Sequence, residues 1–133
     1  MILIDTSLWI FYFNSPKSRQ AQLIEELLIS HQPVCINAII EMEVLQGISK
    51  DSQYNKMREH LADFQYFPDF NQKYFNLATE IYRTCRKQGV TVRKSLDCLI
   101  AANCLIDNLE ILHHDRDFEQ IKKVFHSLRS TSI

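Results

Sequence analysis

Five carboxylates stand beside or within apolar runs of this 133-residue chain: Asp5, Glu43, Asp97, Asp115 and Asp117. A group of carboxylates brought together cannot stay fully ionised without a cation to offset the repulsion. Hard oxygen donors of this kind suit Mg²⁺ or Mn²⁺. With one or two such ions they can bind a phosphodiester, acidify a water and stabilise a leaving oxygen, and no protein nucleophile is needed. The chain accordingly has neither a G-x-S-x-G nor a G-x-x-x-x-G-K motif. A phosphate substrate also fits the local charge. Between Glu80 and Asp97 the only charged residues are Arg83, Arg86, Lys87, Arg93 and Lys94. Such a stripe can hold a nucleic-acid backbone, although a solvated helix face explains its first three members equally well.

The elements that must position these acids follow from hydrophobic periodicity. Met1 to Ile4 reads as a short buried strand ended by Asp5, with the N-cap types Thr6 and Ser7 leading into an apolar helix or turn. Asp5 at the carboxyl end of a central strand lies where open α/β sheets keep their ligands, but it also reads simply as a cap. Residues 17–31 carry Ala21, Ile24, Leu27 and Leu28 at helical spacing, and Gln32-Pro33 breaks that helix. Val34 to Ile36 is a second strand, and Asn37 caps a helix that ends at Gly47. Within it Glu41 and Glu43 are about 200° apart, so Glu43 takes the apolar face and Glu41 the more exposed one.

Further on, residues 51–63 form a helix and residues 65–67 an edge strand before Pro68. A helix over 74–87 is expected to be buried through Phe75, Ala78, Ile81, Tyr82 and Cys85. Ser95 is the expected N-cap of the most apolar helix, which puts Asp97 in its first turn, either as a helix-start acid or as a paired, ligating one. Residues 109–113 form a strand ending near Asp115 and Asp117, followed by a helix to about Phe125 and a last strand or tail. The neighbouring His113 and His114 point to opposite faces and read as ordinary histidines. The order of elements predicts one α/β domain over residues 1–133, with a short parallel central sheet flanked by helices.

Composition narrows the class. Two glycines and three prolines argue against an all-β fold. A net charge of -1 gives no global nucleic-acid signature, so such a ligand needs a local patch or a bound cation. The four cysteines form no C-x-x-C and read as core residues in a reducing compartment. A start without a basic n-region, and no apolar run of membrane length, predict a cytoplasmic protein with no membrane partner.

Four stretches then carry a resemblance: Ile4-Asp5-Thr6-Ser7-Leu8-Trp9, residues 37–47, Leu96-Asp97-Cys98-Leu99-Ile100-Ala101-Ala102, and Leu112-His113-His114-Asp115-Arg116-Asp117-Phe118. In this order and at these separations the chain resembles, over essentially its whole length, a PIN-domain ribonuclease of the VapC toxin type. The resemblance implies a Rossmann-like fold and Mg²⁺- or Mn²⁺-dependent cleavage of RNA. It also implies a homodimer and a cognate VapB-type antitoxin that neutralises the toxin in a higher assembly. By position, Asp5, Glu43, Asp97 and Asp115 match the acidic quartet and Asp117 a frequent additional acid, with either of the last two as the nearer metal ligand. Thr6 or Ser7 matches a hydroxyl beside the first aspartate, and Arg93 and Lys94 are candidate substrate contacts. Trp9, Tyr12 and Phe13 would lie near an antitoxin groove, or pack in the core. The alternative is a non-catalytic PIN-like protein-binding module in which the acids are caps and solubilising charges. An aspartyl-phosphatase reading fails because Ser7 stands where a second Asp is wanted.

Overall fold

In a computed structural model that describes every residue except Pro68, the chain forms five strands and seven helices among the described residues. They fall into two compact units, one before Pro68 and one from Asp69 to Ile133. The α/β class and the parallel pairing expected from the sequence are both present.

In the first unit, β1 (Ile2–Ile4), β2 (Val34–Ile36) and β3 (Gln65–Tyr66) lie in the order β3-β2-β1. All pairs are parallel, with Ile2 opposite Val34 and Ile36 opposite Tyr66. Every residue of β2 is buried, as expected of a parallel strand covered on both faces. Helices α1 (Thr6–Asn14), α2 (Arg19–Ile29), α3 (Ala38–Gln46) and α4 (Asp51–Leu61) complete the unit. Ser18 caps α2 by accepting from the Ala21 N–H, and Asn37 caps α3 by accepting from the Ile40 N–H at 2.9 Å.

Trp9 anchors this unit. It is 1% exposed, and its ring lies 5.8–5.9 Å from those of Tyr12, Phe13 and Phe64. Its indole N–H donates to the Ile4 carbonyl at 3.1 Å, tying α1 back to β1. Trp9→Ala should therefore cost about 3–5 kcal/mol of stability, read as a lower urea midpoint, with Trp9→Phe losing less. Trp9 is a core residue, whereas Tyr12 and Phe13 are half-buried and line a cavity with Gly47, Ile48, Met57 and His60.

In the second unit, β4 (Glu110–His113) pairs in parallel with β5 (Arg129–Ser132), so the C-terminal stretch is a strand. Around this pair stand α5 (Gln72–Lys87), α6 (Ser95–Asp107) and α7 (Arg116–Val124). Tyr74 of α5 donates to Asp107 at 3.0 Å, and Asn103 donates to the same carboxylate oxygen at 2.8 Å. Asn108 ends α6 in the left-handed conformation at φ 53.

Two expectations for α5 need correction. Ile81 and Cys85 are buried, but Phe75 is 48% and Tyr82 39% exposed. Tyr74 fills the interior place instead, because the inner face of the helix runs through Tyr74, Ile81 and Cys85 and leaves Phe75 and Tyr82, each one residue (about 100°) on from a buried position, turned outward. All four cysteines are free and buried. Burial, then the proximity of Cys85, Asp97 and Asp117, pushes the Cys98 thiol up to about 12, so it is inert at neutral pH.

Candidate active site

The two units each gather acids at the carboxyl ends of their strands. In the first, Asp5 follows β1 in an extended conformation and is the N-cap of α1. Its Oδ2 accepts from the Ser7 N–H at 2.9 Å and from the Ser7 hydroxyl. Of the capping residues the sequence offered, the cap is Asp5 rather than Thr6 or Ser7. The reason is geometric: the carboxylate already stands at the strand end, and the Ser7 hydroxyl turns back to it. Thr6 has another task. Its hydroxyl donates to Glu43 Oε2 at 2.6 Å, fixing a carboxylate of α3 against the start of α1. Glu41 and Glu43 are both half-buried, so exposure does not separate them as periodicity suggested. The Thr6 contact does.

The second unit repeats the device. Asp115 follows β4 and caps α7, accepting from the Asp117 N–H at 2.9 Å. Asp97 lies in the first turn of α6 and is 1% exposed. One oxygen from each of Asp97, Asp115 and Asp117 falls within 4.8 Å of the others. Opposite ligands of a Mg²⁺ ion with bonds of about 2.1 Å span ~4.2 Å, so the acids would close slightly to hold one. The donor set and spacing therefore fit a hard divalent cation.

The basic pair sits directly on these acids. Arg93 donates through Nε to Asp117 at 3.0 Å and through Nη2 to Asp115 at 2.9 Å. Lys94 Nζ lies 2.7 Å from Asp115 Oδ2 and 3.3 Å from Asp97 Oδ2. The backbone N–H groups of Arg93 and Lys94 both donate to Asp117 Oδ2, at 3.1 and 3.0 Å. This clamp explains a further difference from the sequence reading. Ser95 is the first residue of α6 rather than its cap, and Lys94 takes the cap position with no side-chain bond. Burial works against ionised Asp115, but the Asp117 N–H and the Lys94 ammonium outweigh it and hold its carboxyl below the usual range.

The two histidines occupy different environments. His113 is buried beside Phe118, its Nδ1 accepting from the Asp115 N–H at 3.2 Å, and burial lowers its pKa. His114 contacts the Ile133 carbonyl. Arg83, Arg86 and Lys87 are exposed on α5, with Arg86 over the Tyr82 ring. Periodicity missed the Asp117 clamp because its partners are 23 and 24 residues away in sequence. The available signal was an acid two residues after a capping acid, in a chain with two consecutive basic residues before Asp97.

The comparisons with known proteins agree with this picture. The sequence profile of the PIN domain family matches residues 2–124, and the chain belongs to that family. The chain is 34% identical over 125 residues to a VapC ribonuclease of Mycobacterium bovis, covering 93% of each. The same identity and coverage relate it to the ribonuclease VapC11 of Mycobacterium tuberculosis. Among solved structures, VapBC2 of Rickettsia felis bound to a promoter DNA fragment matches with a TM-score of 0.76 at 19% identity, covering 100% of this chain and 99% of that one. The DNA-bound VapBC of Salmonella typhimurium matches with a TM-score of 0.76 at 20% identity, covering 98% and 96%. These last two establish the fold alone.

Proposed function

We infer that this chain is the toxin of a type II toxin–antitoxin system, a nuclease of the hydrolase class that cleaves RNA phosphodiester bonds with Mg²⁺ or Mn²⁺. The observation that carries the reading is the Asp97, Asp115 and Asp117 group of a PIN-family chain, with ligand-spaced oxygens beside two basic side chains. We propose Asp5, Glu43, Asp97 and Asp115 as the metal-holding, catalytic carboxylates. The chemistry that a divalent cation supplies when bound by such residues is charge neutralisation at the phosphoryl oxygens and an acidified water. Thr6 and Ser7 orient the first-unit carboxylates, since each hydroxyl donates to one of them. Arg93 and Lys94 provide positive charge for the RNA backbone. Asp117 serves by holding the loop before α6, because its Oδ2 accepts from the backbone N–H groups of both Arg93 and Lys94, whereas Asp115 Oδ2 is held only by the Lys94 side chain.

The partners proposed from the relatives are a VapB-type antitoxin and a second copy of the chain. The half-buried Tyr12 and Phe13 and their cavity of about 570 Å³ suit an inserted antitoxin segment. Phe75, Tyr82 and Leu96 are exposed around a largely apolar cavity of about 330 Å³ between α5 and α6, which suits the homodimer face. Phe75→Glu should then shift the isolated protein from dimer to monomer in light scattering. An unchanged mass would move the dimer contact elsewhere.

No described helix is long and apolar enough to cross a membrane, and a cytoplasmic location is proposed on the chemistry of the substrate. The test is cleavage of a cellular RNA pool by purified protein with Mg²⁺ or Mn²⁺ and with EDTA. Discrete fragments that vanish in EDTA support the nuclease, and sequencing their ends names the target. Metal-independent background cutting alone favours the protein-binding module.

A further inference from the structure

We propose that Lys94 is a built-in counter-ion that occupies the divalent-cation position between Asp97 and Asp115, so that the ion binds only by displacing it. The proposal rests on the nuclease reading above, and concerns how that site is kept closed when no metal is present.

The first argument is position. Lys94 Nζ contacts Asp115 Oδ2 at 2.7 Å and Asp97 Oδ2 at 3.3 Å. A cation held by the Oδ2 atoms of these two carboxylates would compete with Lys94 for the same space. The second argument concerns the other oxygens. Asp115 Oδ1 accepts from the Asp117 N–H and Arg93 Nη2. Asp117 Oδ2 accepts from two backbone N–H groups, and its Oδ1 from Arg93 Nε. Claiming those atoms means breaking the loop or the capped turn of α7. Claiming the Oδ2 pair means moving one lysine.

The third argument is charge. Asp97, Asp115 and Asp117 carry three negative charges, and Arg93 and Lys94 two positive ones, which leaves -1. A divalent ion added to that set gives +1, with an ammonium against the metal. With Lys94 withdrawn, these second-unit groups are neutral, before the charges of Asp5 and Glu43 are counted. Lys94 is also the member able to leave. Its side chain is 50% exposed, and a lysine stem rotates freely, whereas the Arg93 fork is fixed by bonds to both Asp115 and Asp117. The consequence is a metal-free state in which most of the repulsion among the acids is offset, and a metal affinity set partly by competition from the chain itself.

Two measurements test this. The first is Mn²⁺ binding without RNA, by calorimetry or by the resonance of free Mn²⁺, for wild type and Lys94→Met, with Lys87→Met as a control outside the site. Lys94→Met should bind Mn²⁺ on the order of tenfold more tightly, and Lys87→Met as wild type does. Equal or weaker binding by Lys94→Met overturns the proposal and leaves the metal site standing. No Mn²⁺ bound by any of the three overturns both. The second measurement uses wild type only, and so decides the matter if Lys94→Met does not fold. In EDTA the Lys94 ammonium should give a protected ¹H–¹⁵N signal, assigned in the wild-type protein by through-bond correlation along the lysine side chain. Saturating Mg²⁺ should abolish it. A signal that is absent in EDTA, or that persists in Mg²⁺, overturns the proposal.

Discussion

Replacing Asp97 with Asn is expected to lower metal-dependent RNA cleavage by more than about a hundredfold without weakening the fold. Residues that only orient metal ligands typically cost 10- to 100-fold when removed, so the loss of a ligand itself should exceed that range. The stability side follows from the charges around it. Asp97 is 1% exposed, and it shares a small volume with Asp115 and Asp117. A buried carboxylate there is costly to keep ionised, and Asn keeps its shape without its charge. Lys94 retains its 2.7 Å contact to Asp115. What the variant loses is an acid in the first turn of α6, typically about 0.3–1 kcal/mol. The urea midpoint in EDTA should therefore change little or rise, while fragment formation in Mg²⁺ or Mn²⁺ is lost. A variant that cuts the RNA pool as fast as wild type would remove Asp97 from the reaction. Glu41→Gln, on the same helix as Glu43 but without the Thr6 bond, is the matched control and should keep full activity.

Much of this site was legible in the sequence because its acids follow or begin regular elements. Asp5 and Asp115 end buried strands, and Asp97 starts a helix apolar nearly all round, so each position was fixed by local pattern. The edge strand fell where expected, over Gln65–Tyr66, while the last segment, open in the sequence as a strand or a tail, is a strand of mostly exposed polar residues that carries no buried-strand pattern; Pro68 itself lies outside the described residues. What the sequence withheld were side-chain partnerships across long separations. Periodicity placed Glu43 on an apolar face, but nothing local shows that Thr6, 37 residues earlier, holds it. Nor does spacing show that Arg93 and Lys94 turn onto the acids. Helix faces were also blurred where aromatic residues are exposed. Phe75 and Tyr82 have the right spacing for a core and lie outside it, because an apolar side chain can face solvent or a partner as well as an interior. One cap was misread: Ser95 is a good N-cap type, but the chain enters α6 one residue earlier, at Lys94, because the backbone N–H groups of Arg93 and Lys94 are held by Asp117.

Asp117→Ala should be the mirror image of Asp97→Asn, a variant that damages the fold first and the chemistry second. Asp117 is 1% exposed and accepts from the backbone N–H groups of Arg93 and Lys94. Truncation leaves both donors without that acceptor, at about 1–3 kcal/mol each where they are shut away from water. The Arg93 ion pair adds little, since that side chain is 59% exposed and exposed pairs contribute roughly 0–1 kcal/mol. A loss of about 3 kcal/mol is expected, seen as a lower urea midpoint with an unchanged slope. Asp115→Ala provides the contrast. It removes the cap of α7, about 0.5–2 kcal/mol, yet should abolish Mn²⁺ binding at the Oδ2 pair. If Asp117 were the nearer ligand instead, the two variants would exchange behaviour: Asp115→Ala would still bind Mn²⁺, and Asp117→Asn, which keeps one acceptor oxygen for the loop, would fold but bind none. Measuring midpoint and Mn²⁺ affinity on the same samples separates the acid that holds the ion from the acid that holds the loop.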